Sequence, residues 1–363
     1  MKVALITDTH FGFKKGNKTF HEYFQKFYTE IFFPYLIKNK IKTVIHLGDA
    51  FDNRKGIDYW SLQWTKQNIY DTFETLGITV YNIIGNHDIY YKNTNQLNSV
   101  DYLLSEYDNV IKISSPQQFT IGGLDILMLP WITPENEQNA LRMIQNSPCE
   151  VAMGHLELTG FKVNSHLVMD HGMDPKGLHK FNKVFSGHYH TRSNDGVVFY
   201  LGNPYEMFWS DLDDNRGFTI FDTETLKHEY INNPYRIFKI INYDEDNLNE
   251  ELDEYKNCIV KLIVKNKTNQ KKYEQYVDKL IQVNPYEFRV IETVHINQNF
   301  DDEEFVGSED TLSLLKKYVE RSTVKEDGAP TGGIGLSLSG GYINGAPKPK
   351  DVKKTRKQLN KEK

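Results

Sequence analysis

The sequence predicts an α/β fold in which a sheet of buried strands is covered by helices on both faces. Residues 2–7, 43–47 and 78–84 are predominantly apolar, which is typical of strands buried on both faces of a sheet. The segments between them repeat apolar residues at spacings of three and four, the period of an amphipathic helix. Strands and helices that alternate in this way build layered α/β folds.

The first half of the chain supplies these elements in order. Phe20, Phe24 and Phe27 begin an apolar face that predicts a helix after the first strand. Asp58 is predicted to cap the next helix, and Gly77 follows its last residue. The predicted elements are strands at 2–7, 43–47 and 78–84 and helices at 19–39, 58–76 and 94–106.

From about residue 110 the predicted elements are shorter strands. The acidic stretch from Asp244 to Glu254 is predicted to mark a boundary before a small α+β unit. Residues 308–321 have the pattern of an amphipathic helix, and the Gly-, Pro- and Ser-rich tail has a composition that predicts disorder. Further predicted elements are strands at 118–121, 124–129, 150–153, 182–185, 197–201, 217–221, 258–264 and 286–294 and helices at 134–146 and 270–282. The predicted domains are 1–235, 236–300, 301–324 and 325–363.

Length and composition limit the classes of function. The chain has 363 residues, 39% of them hydrophobic, and no apolar run approaches the roughly 20 residues of a membrane span. The N-terminus also lacks the pattern of a signal peptide, so a cytoplasmic protein is expected. A net charge of −6 argues against a general polyanion-binding surface, although local cations or bound metal ions can still create a site for nucleic acid.

Polar clusters follow several predicted strands, at the point where each strand ends. Gly85-Asn86-His87-Asp88 follows one strand, and similar clusters follow four others. One interpretation is that each cluster is a turn whose polar side chains bind their own backbone. In layered α/β folds, however, ligand sites form at the carboxyl ends of strands. The other clusters are Asp8-Thr9-His10, Gly48-Asp49, Gly154-His155 and Gly187-His188-Tyr189-His190.

The residue types in these clusters favour a metal site. Imidazole, carboxylate and amide donors without thiolate suit Mn²⁺, Fe²⁺ or Zn²⁺. Seven candidate ligands are too many for one ion and fit two ions that share a carboxylate, for which Asp49 is the candidate. Such paired ions are used to hydrolyse phosphoesters. The candidate ligands are Asp8, His10, Asp49, Asn86, His155, His188 and His190.

Together, the five clusters resemble the signature of the calcineurin-like metallophosphoesterases and, within them, the SbcD-type DNA repair nucleases, including those of T-even phages. The resemblance implies a two-sheet sandwich flanked by helices, a small α+β capping domain and a C-terminal partner-binding helix. It implies one metal on Asp8, His10, Asp49 and His190, and another on Asp49, Asn86, His155 and His188. Mn²⁺ is the expected metal, with Mg²⁺ as the alternative. By the same resemblance, His87 acts on the scissile phosphate and Asp88 orients His87.

The function implied by the resemblance is that of a DNA nuclease subunit in recombination, repair and DNA-end processing. It would act as a double-strand exonuclease and single-strand endonuclease with an SbcC-like coiled-coil ATPase, as a homodimer within a heterotetramer. One alternative is a metallophosphoesterase for small phosphodiesters or phosphoproteins. Another is a non-catalytic DNA-end scaffold, which would require a missing ligand or a missing His87.

Several other residues have more than one interpretation. Cations beside the clusters are either DNA contacts or ordinary surface charges: Lys14, Lys15, Arg54, Lys55 and Arg192. The resemblance adds Asp52 to the candidate DNA contacts, because several relatives carry at this position a histidine that helps to place DNA. An ionised aspartate cannot donate a hydrogen bond, so Asp52 departs from that pattern. Helices 58–76 and 94–106, with Trp60 and Trp64, are either core or a dimer interface. The apolar stripe Leu312, Leu315 and Val319 either packs on its own domain or docks on the ATPase.

Overall fold

The protein is described by a computed structural model that covers residues 1–164, 167–249 and 251–292. The predicted partner helix with Leu312, Leu315 and Val319 and the tail at 325–363 lie outside these residues. In the described ranges, no helix combines the length and apolar character needed to cross a membrane.

The strands fall into three sheets. The first sheet has the order β12-β11-β1-β2-β3-β4, the second β5-β6-β7-β8-β10-β9 and the third β13-β14-β15. The strands are β1 (Lys2–Ile6), β2 (Thr43–His46), β3 (Thr79–Ile83), β4 (Val110–Ile113), β5 (Gln117–Ile121), β6 (Leu124–Leu129), β7 (Val151–His155), β8 (Lys183–Gly187), β9 (Ser193–Asn194), β10 (Val198–Tyr200), β11 (Gly217–Asp222), β12 (His228–Asn232), β13 (Phe238–Asp244), β14 (Ile259–Asn266) and β15 (Glu287–Glu292).

Helical segments connect the strands. Two of the predicted long helices are each interrupted by one π-helical segment, at Tyr28–Phe32 and at Lys66–Tyr70. The α-helices are α1 (Phe13–Gly16), α2 (Lys18–Phe27), α3 (Phe33–Lys38), α4 (Tyr59–Thr65), α5 (Asp71–Thr75), α6 (Ser99–Leu103), α7 (Glu137–Asn146) and α8 (Gln270–Gln282). Short 3₁₀ segments lie at Pro175–Leu178, Trp209–Asp211 and Asp253–Tyr255.

The two six-stranded sheets enclose one core and carry a further core on each outer face. In β1, Val3 and Leu5 belong to the core between the sheets, where they join Met128 and Phe185 of the second sheet. Ala4, which points to the opposite face of the same strand, packs in the outer core with α2 and α3. This arrangement confirms the predicted α/β class and the two-sheet sandwich flanked by helices. It also explains the continuous apolar runs, because both faces of these strands are buried.

The prediction of one helix over residues 94–106 is wrong in length. The α-helix in this segment is α6, which covers only Ser99–Leu103. The asparagines before it bind backbone groups: Asn95 Nδ2 donates to the Trp131 carbonyl at 2.9 Å, and Asn98 Oδ1 caps α6 at the amide of Asp101. Asparagine side chains that satisfy backbone groups in this way compete with a helix. By contrast, the predicted cap at Asp58 is confirmed, because its carboxylate accepts the Ser61 amide hydrogen at 2.9 Å.

The C-terminal described part contains one more strand than predicted. β13 pairs in parallel with β14, which in turn pairs with β15, and α8 packs on one face of this sheet through Tyr273, Tyr276 and Leu280. The acidic stretch predicted to be a boundary begins at Asp244, the last residue of β13, and leads towards β14 of the same sheet. The division of the chain at residues 235, 300 and 324 stays a prediction.

Candidate metal centre

The candidate ligands follow strands that run in parallel within each of the two large sheets. β1, β2 and β3 are neighbours in the first sheet, and β7 and β8 are neighbours in the second. Their carboxyl ends lie close enough that Asp8 and His188, 180 positions apart, are hydrogen-bonded. Asp8, His10, Asp49, Asn86 and His155 are all buried. The structure therefore brings together the seven predicted ligands at the edge where both sheets end.

One group of donor atoms comes from Asp8, His10 and His190. His10 Nε2 lies 4.0 Å from Asp8 Oδ1, and His190 Nε2 lies 3.9 Å from the same oxygen. Asp49 Oδ2 is 3.9 Å from His10 Nε2. Ligands about 2.0–2.2 Å from a shared ion are separated by such distances, so these four side chains could hold a cation.

A second group comes from Asp49, His155 and His188. His155 Nε2 is 3.3 Å from Asp49 Oδ2. Asn86 Oδ1 lies 2.9 Å from both His155 Nε2 and His188 Nδ1. Asp49 Oδ2 is thus close to donors of both groups, which is the position required of a carboxylate shared by two ions.

Hydrogen bonds to neighbouring groups orient these side chains. His155 Nδ1 is 2.7 Å from the Leu47 carbonyl, which can only accept, so Nδ1 carries the proton and Nε2 faces Asp49 and Asn86. Asp8 Oδ2 accepts a hydrogen bond from Thr7 Oγ1 at 2.7 Å. Asp49 Oδ1 accepts the His87 amide hydrogen at 2.7 Å. Groups of this kind fix the orientation of metal ligands in proteins.

Four of the candidate ligands have left-handed backbone conformations. The φ angles are 52° for Asp8, 47° for His10, 54° for Asp49 and 92° for His188. Non-glycine residues rarely adopt this region, and each costs of order 1–3 kcal/mol. Such conformations persist where the surrounding structure enforces them, and they concentrate at functional sites. In the turn after β1, this conformation accompanies a close approach of two side chains, with His10 Nε2 4.0 Å from Asp8 Oδ1.

The charges of the site favour a bound cation. Burial alone would lower the pKa of His10, but the carboxylates of Asp52, Asp49 and Asp8 outweigh burial and raise this pKa to about 9. His155 behaves in the same way: burial opposes its charge, and Asp49 and Asp8 raise its pKa to about 9. His10 Nε2 is also buried and has no hydrogen-bond partner among the described residues. A divalent cation would satisfy both the excess negative charge and the unpartnered nitrogen, so the residues fit two metal ions.

His87 lies beside the first group. Its ring centroid is 4.8 Å from that of His10, and its Nδ1 is 2.5 Å from the Asp52 carbonyl oxygen. Because that carbonyl can only accept, Nδ1 carries a proton and Nε2 is the ring nitrogen available to a metal or a substrate. Donor atoms of His10, Asp49 and His87 also lie within 4.8 Å of one another, so distance alone permits His87 to be a ligand.

Asp88, which the resemblance assigned to orienting His87, has its carboxylate bound to other groups among the described residues, so that role stays a prediction. Its buried carboxylate accepts the amide hydrogens of Gly85 at 2.8 Å and Phe51 at 3.1 Å, and the Ser99 hydroxyl at 3.3 Å. Asp88 therefore joins the turn after β3 to the turn after β2. The residue that orients His87 is Asp52, through its backbone, which no side-chain pattern could indicate.

Replacing Asp88 with alanine is expected to destabilise the fold by about 3–5 kcal/mol, because each buried amide left without an acceptor costs about 1–3 kcal/mol. Urea denaturation measures the loss. Ser99→Ala removes only the hydroxyl that donates to the same carboxylate and is expected to cost about 1 kcal/mol. A loss below that of Ser99→Ala would contradict this assignment.

The predicted DNA contacts fall into two groups. Lys14, Lys15 and Lys55 are exposed, and Arg54 is half-buried. Arg192 is already engaged: its Nε donates to the Leu201 carbonyl at 3.2 Å, and its guanidinium stacks over the ring of Tyr230. Arg192 is thus held within the fold.

The sequence analysis did not identify three residues that lie at the site. The Trp131 ring lies 4.9 Å from that of His188, and Glu157 Oε1 is 3.8 Å from His188 Nε2. Arg216 is fully buried and donates to the backbone carbonyl of His190, with Asp211 and Asp214 as its ion-pair partners. Glu157 follows the His155 cluster by two residues and could have been suspected. Trp131 and Arg216 belong to no recognisable pattern.

Comparison with known proteins agrees with this geometry. The family model of the calcineurin-like phosphoesterases matches residues 1–192. Exonuclease subunit 1 of Enterobacteria phage T4 is 32% identical over 320 residues, which is 88% of this chain and 92% of that protein.

Solved structures give weaker matches. An archaeal phosphodiesterase is 18% identical with a TM-score of 0.34, over 64% of this chain and 99% of that one. A Danio rerio dimetal phosphatase is 11% identical with a TM-score of 0.37, over 61% of this chain and 91% of that one. TM-scores this low support no conclusion about the fold or function of this chain. On the family match and the phage relative, the chain belongs to the calcineurin-like phosphoesterase family.

Proposed function

We propose that the protein is the nuclease subunit of a DNA-processing complex and cuts phosphodiester bonds with two divalent metal ions. The observation that carries this proposal is the convergence of two donor groups on Asp49, since a shared carboxylate is the hallmark of a paired-metal phosphoesterase site. The similarity to a phage exonuclease subunit, over 92% of its length, favours DNA as the substrate.

In this proposal, Asp8, His10 and His190 hold one ion, Asn86, His155 and His188 hold the other, and Asp49 is shared. When bound, such ions polarise the phosphoryl oxygen and activate water for attack. Mn²⁺ is the proposed metal: the mixed imidazole, carboxylate and amide donors permit it, and the resemblance to the nuclease family favours it over Fe²⁺ and Zn²⁺. Asn86 Oδ1 lies 2.9 Å from both His155 Nε2 and His188 Nδ1, so it can bind the same ion as these two histidines.

His87 is proposed to donate a proton to the leaving oxygen. The Asp52 carbonyl accepts from Nδ1, so Nε2 is the nitrogen available to the substrate. It donates a proton only when His87 is the imidazolium, a form that burial opposes by lowering the pKa of His87 and that the neighbouring carboxylate of Asp49 favours. The amide of His87 donates to Asp49, which ties the position of this residue to the shared carboxylate. This side chain can therefore stabilise developing charge next to the metal centre.

Contacts to the DNA backbone are proposed for Lys14, Lys15, Arg54 and Lys55. These residues follow the strand ends that carry Asp8 and Asp49, and cations there neutralise phosphates without reading sequence. Arg192 is left out of this set because it is bound within the fold.

We test the proposed function with end-labelled linear duplex DNA and purified protein in Mn²⁺. Shortening of the label-bearing strand by the wild type, and its absence with Asp49→Asn, is the expected result. Hydrolysis of bis(p-nitrophenyl) phosphate without cleavage of duplex or single-stranded DNA, with and without an SbcC-like ATPase, would overturn the choice of DNA. That outcome would leave a phosphodiesterase for small substrates.

The proposal includes an SbcC-like coiled-coil ATPase as partner and a homodimer within the complex. The relative is a subunit by name, and exposed aromatic residues on α4 and α6, Tyr59 at 91% and Tyr102 at 66% exposure, offer a surface for self-association. Leu312, Leu315 and Val319 are the proposed ATPase contacts.

Deleting residues 308–363 is expected to leave the nuclease activity of the isolated protein unchanged and to abolish binding of the ATPase. Co-purification with the tagged ATPase measures the binding. Leu312→Asp combined with Leu315→Asp should reproduce the deletion if the apolar stripe is the contact. Undiminished complex formation by the deletion variant would refute this docking site.

A further inference from the structure

Residue 52 contacts two of the candidate histidines at once. Asp52 Oδ1 lies 3.3 Å from His10 Nδ1, and the Asp52 carbonyl oxygen lies 2.5 Å from His87 Nδ1. The two imidazole rings are nearly perpendicular, at 81°. Both rings therefore present Nδ1 to residue 52.

The other nitrogen of His10 faces the candidate metal centre. Its Nε2 is 4.0 Å from Asp8 Oδ1 and 3.9 Å from Asp49 Oδ2. Histidines that bind metals through one nitrogen usually donate the other N–H to a carboxylate or carbonyl, which fixes the tautomer and the ring orientation. His155 already has such an acceptor in the Leu47 carbonyl.

His10 needs an acceptor of the same kind. Its ring is buried, and its Nδ1 completes no hydrogen bond of good geometry in the described part of the chain, although the Asp52 carboxylate is within hydrogen-bonding distance. The Asp52 side chain is only 25% exposed. As a carboxylate it cannot donate to a phosphate, whereas it can accept from an imidazole N–H.

We propose that Asp52 is a positioning residue that holds His10 with its proton on Nδ1, so that Nε2 is available to a metal ion. The side chain of Asp52 faces Nδ1 of His10 and its backbone carbonyl faces Nδ1 of His87, so one residue orients both imidazole rings and leaves their Nε2 atoms towards the candidate site. This inference rests on the proposed metal centre and does not require DNA as the substrate. It assigns Asp52 a role different from the DNA contact that the histidine of relatives suggests.

The test is a Mn²⁺ titration of the full-length protein, without DNA, followed by isothermal calorimetry. Asp52→Ala is expected to weaken one of two binding steps by about 10–100-fold, the usual effect of losing such a partner, and to leave the other step unchanged. Asp52→Asn keeps an acceptor oxygen and should weaken the same step less. Asn53→Ala, at the exposed neighbouring position, is the matched control and should leave both steps unchanged.

Two outcomes would overturn the proposal. Unchanged Mn²⁺ affinities in Asp52→Ala, with a raised KM for DNA, would make Asp52 a DNA contact. Equal weakening of both steps with a lower melting temperature would make Asp52 merely structural. A selective loss of one step in a protein that cleaves no DNA would support this inference while refuting the nuclease proposal, so the two fail separately.

Discussion

Asp49→Ala is expected to abolish binding of both metal ions and to reduce phosphodiester hydrolysis at least about 1,000-fold, which corresponds to about 4 kcal/mol in the barrier. The reason is geometric. Asp49 Oδ2 lies 3.3 Å from His155 Nε2 in one donor group and 3.9 Å from His10 Nε2 in the other, so its loss removes a ligand from both. Its Oδ1 also accepts the His87 amide, which loses its partner.

Metal content by inductively coupled plasma mass spectrometry and turnover of bis(p-nitrophenyl) phosphate measure these effects. Asp108→Asn changes an exposed aspartate and is the control for the loss of one negative charge. Retention of two ions per chain in Asp49→Ala would contradict its assignment as the shared ligand.

His87→Ser is expected to lower kcat for DNA by about 10²–10⁴-fold, the range typical of a lost general acid or base, with both ions still bound. A substrate whose leaving group needs no proton, such as a nitrophenyl phosphodiester, should lose far less. This contrast follows from the free Nε2 of His87, whose Nδ1 is held by the Asp52 carbonyl. Steady-state kinetics on the two substrates measure it.

A matched control is His179→Ser, because that histidine is 44% exposed and pairs with Asp195 away from the donor groups. Loss of an ion together with activity in His87→Ser would show that His87 is a ligand, which its distances to His10 and Asp49 permit. Equal losses on both substrates would contradict the proton-transfer role.

The sequence was sufficient to find the strands that carry the candidate ligands. Asp8, Asp49 and His155 stand where apolar runs end, and the parallel pairing of those strands makes their ends meet. The cap at Asp58 was equally predictable, because its side chain acts on the amide three residues later. Local sequence patterns of this kind predict the folded structure because tertiary packing favours the same conformation.

Features that depend on distant contacts were not predictable. Asp88 follows His87 directly, yet its carboxylate binds amides of two different turns. Arg216 supports His190 from 26 positions away and is buried with its own acidic partners. α6 is short because Asn95 reaches the Trp131 carbonyl, 36 residues away. β13 was missed because its pairing with β14 crosses an acidic stretch that resembles a boundary.

The most direct test of the account is anomalous diffraction at the manganese edge from crystals grown with Mn²⁺. We predict two peaks per chain, one beside Asp8, His10 and His190 and the other beside Asn86, His155 and His188, with Asp49 touching both. A single peak, or two peaks that do not share Asp49, would contradict the paired-metal centre on which the proposed chemistry depends.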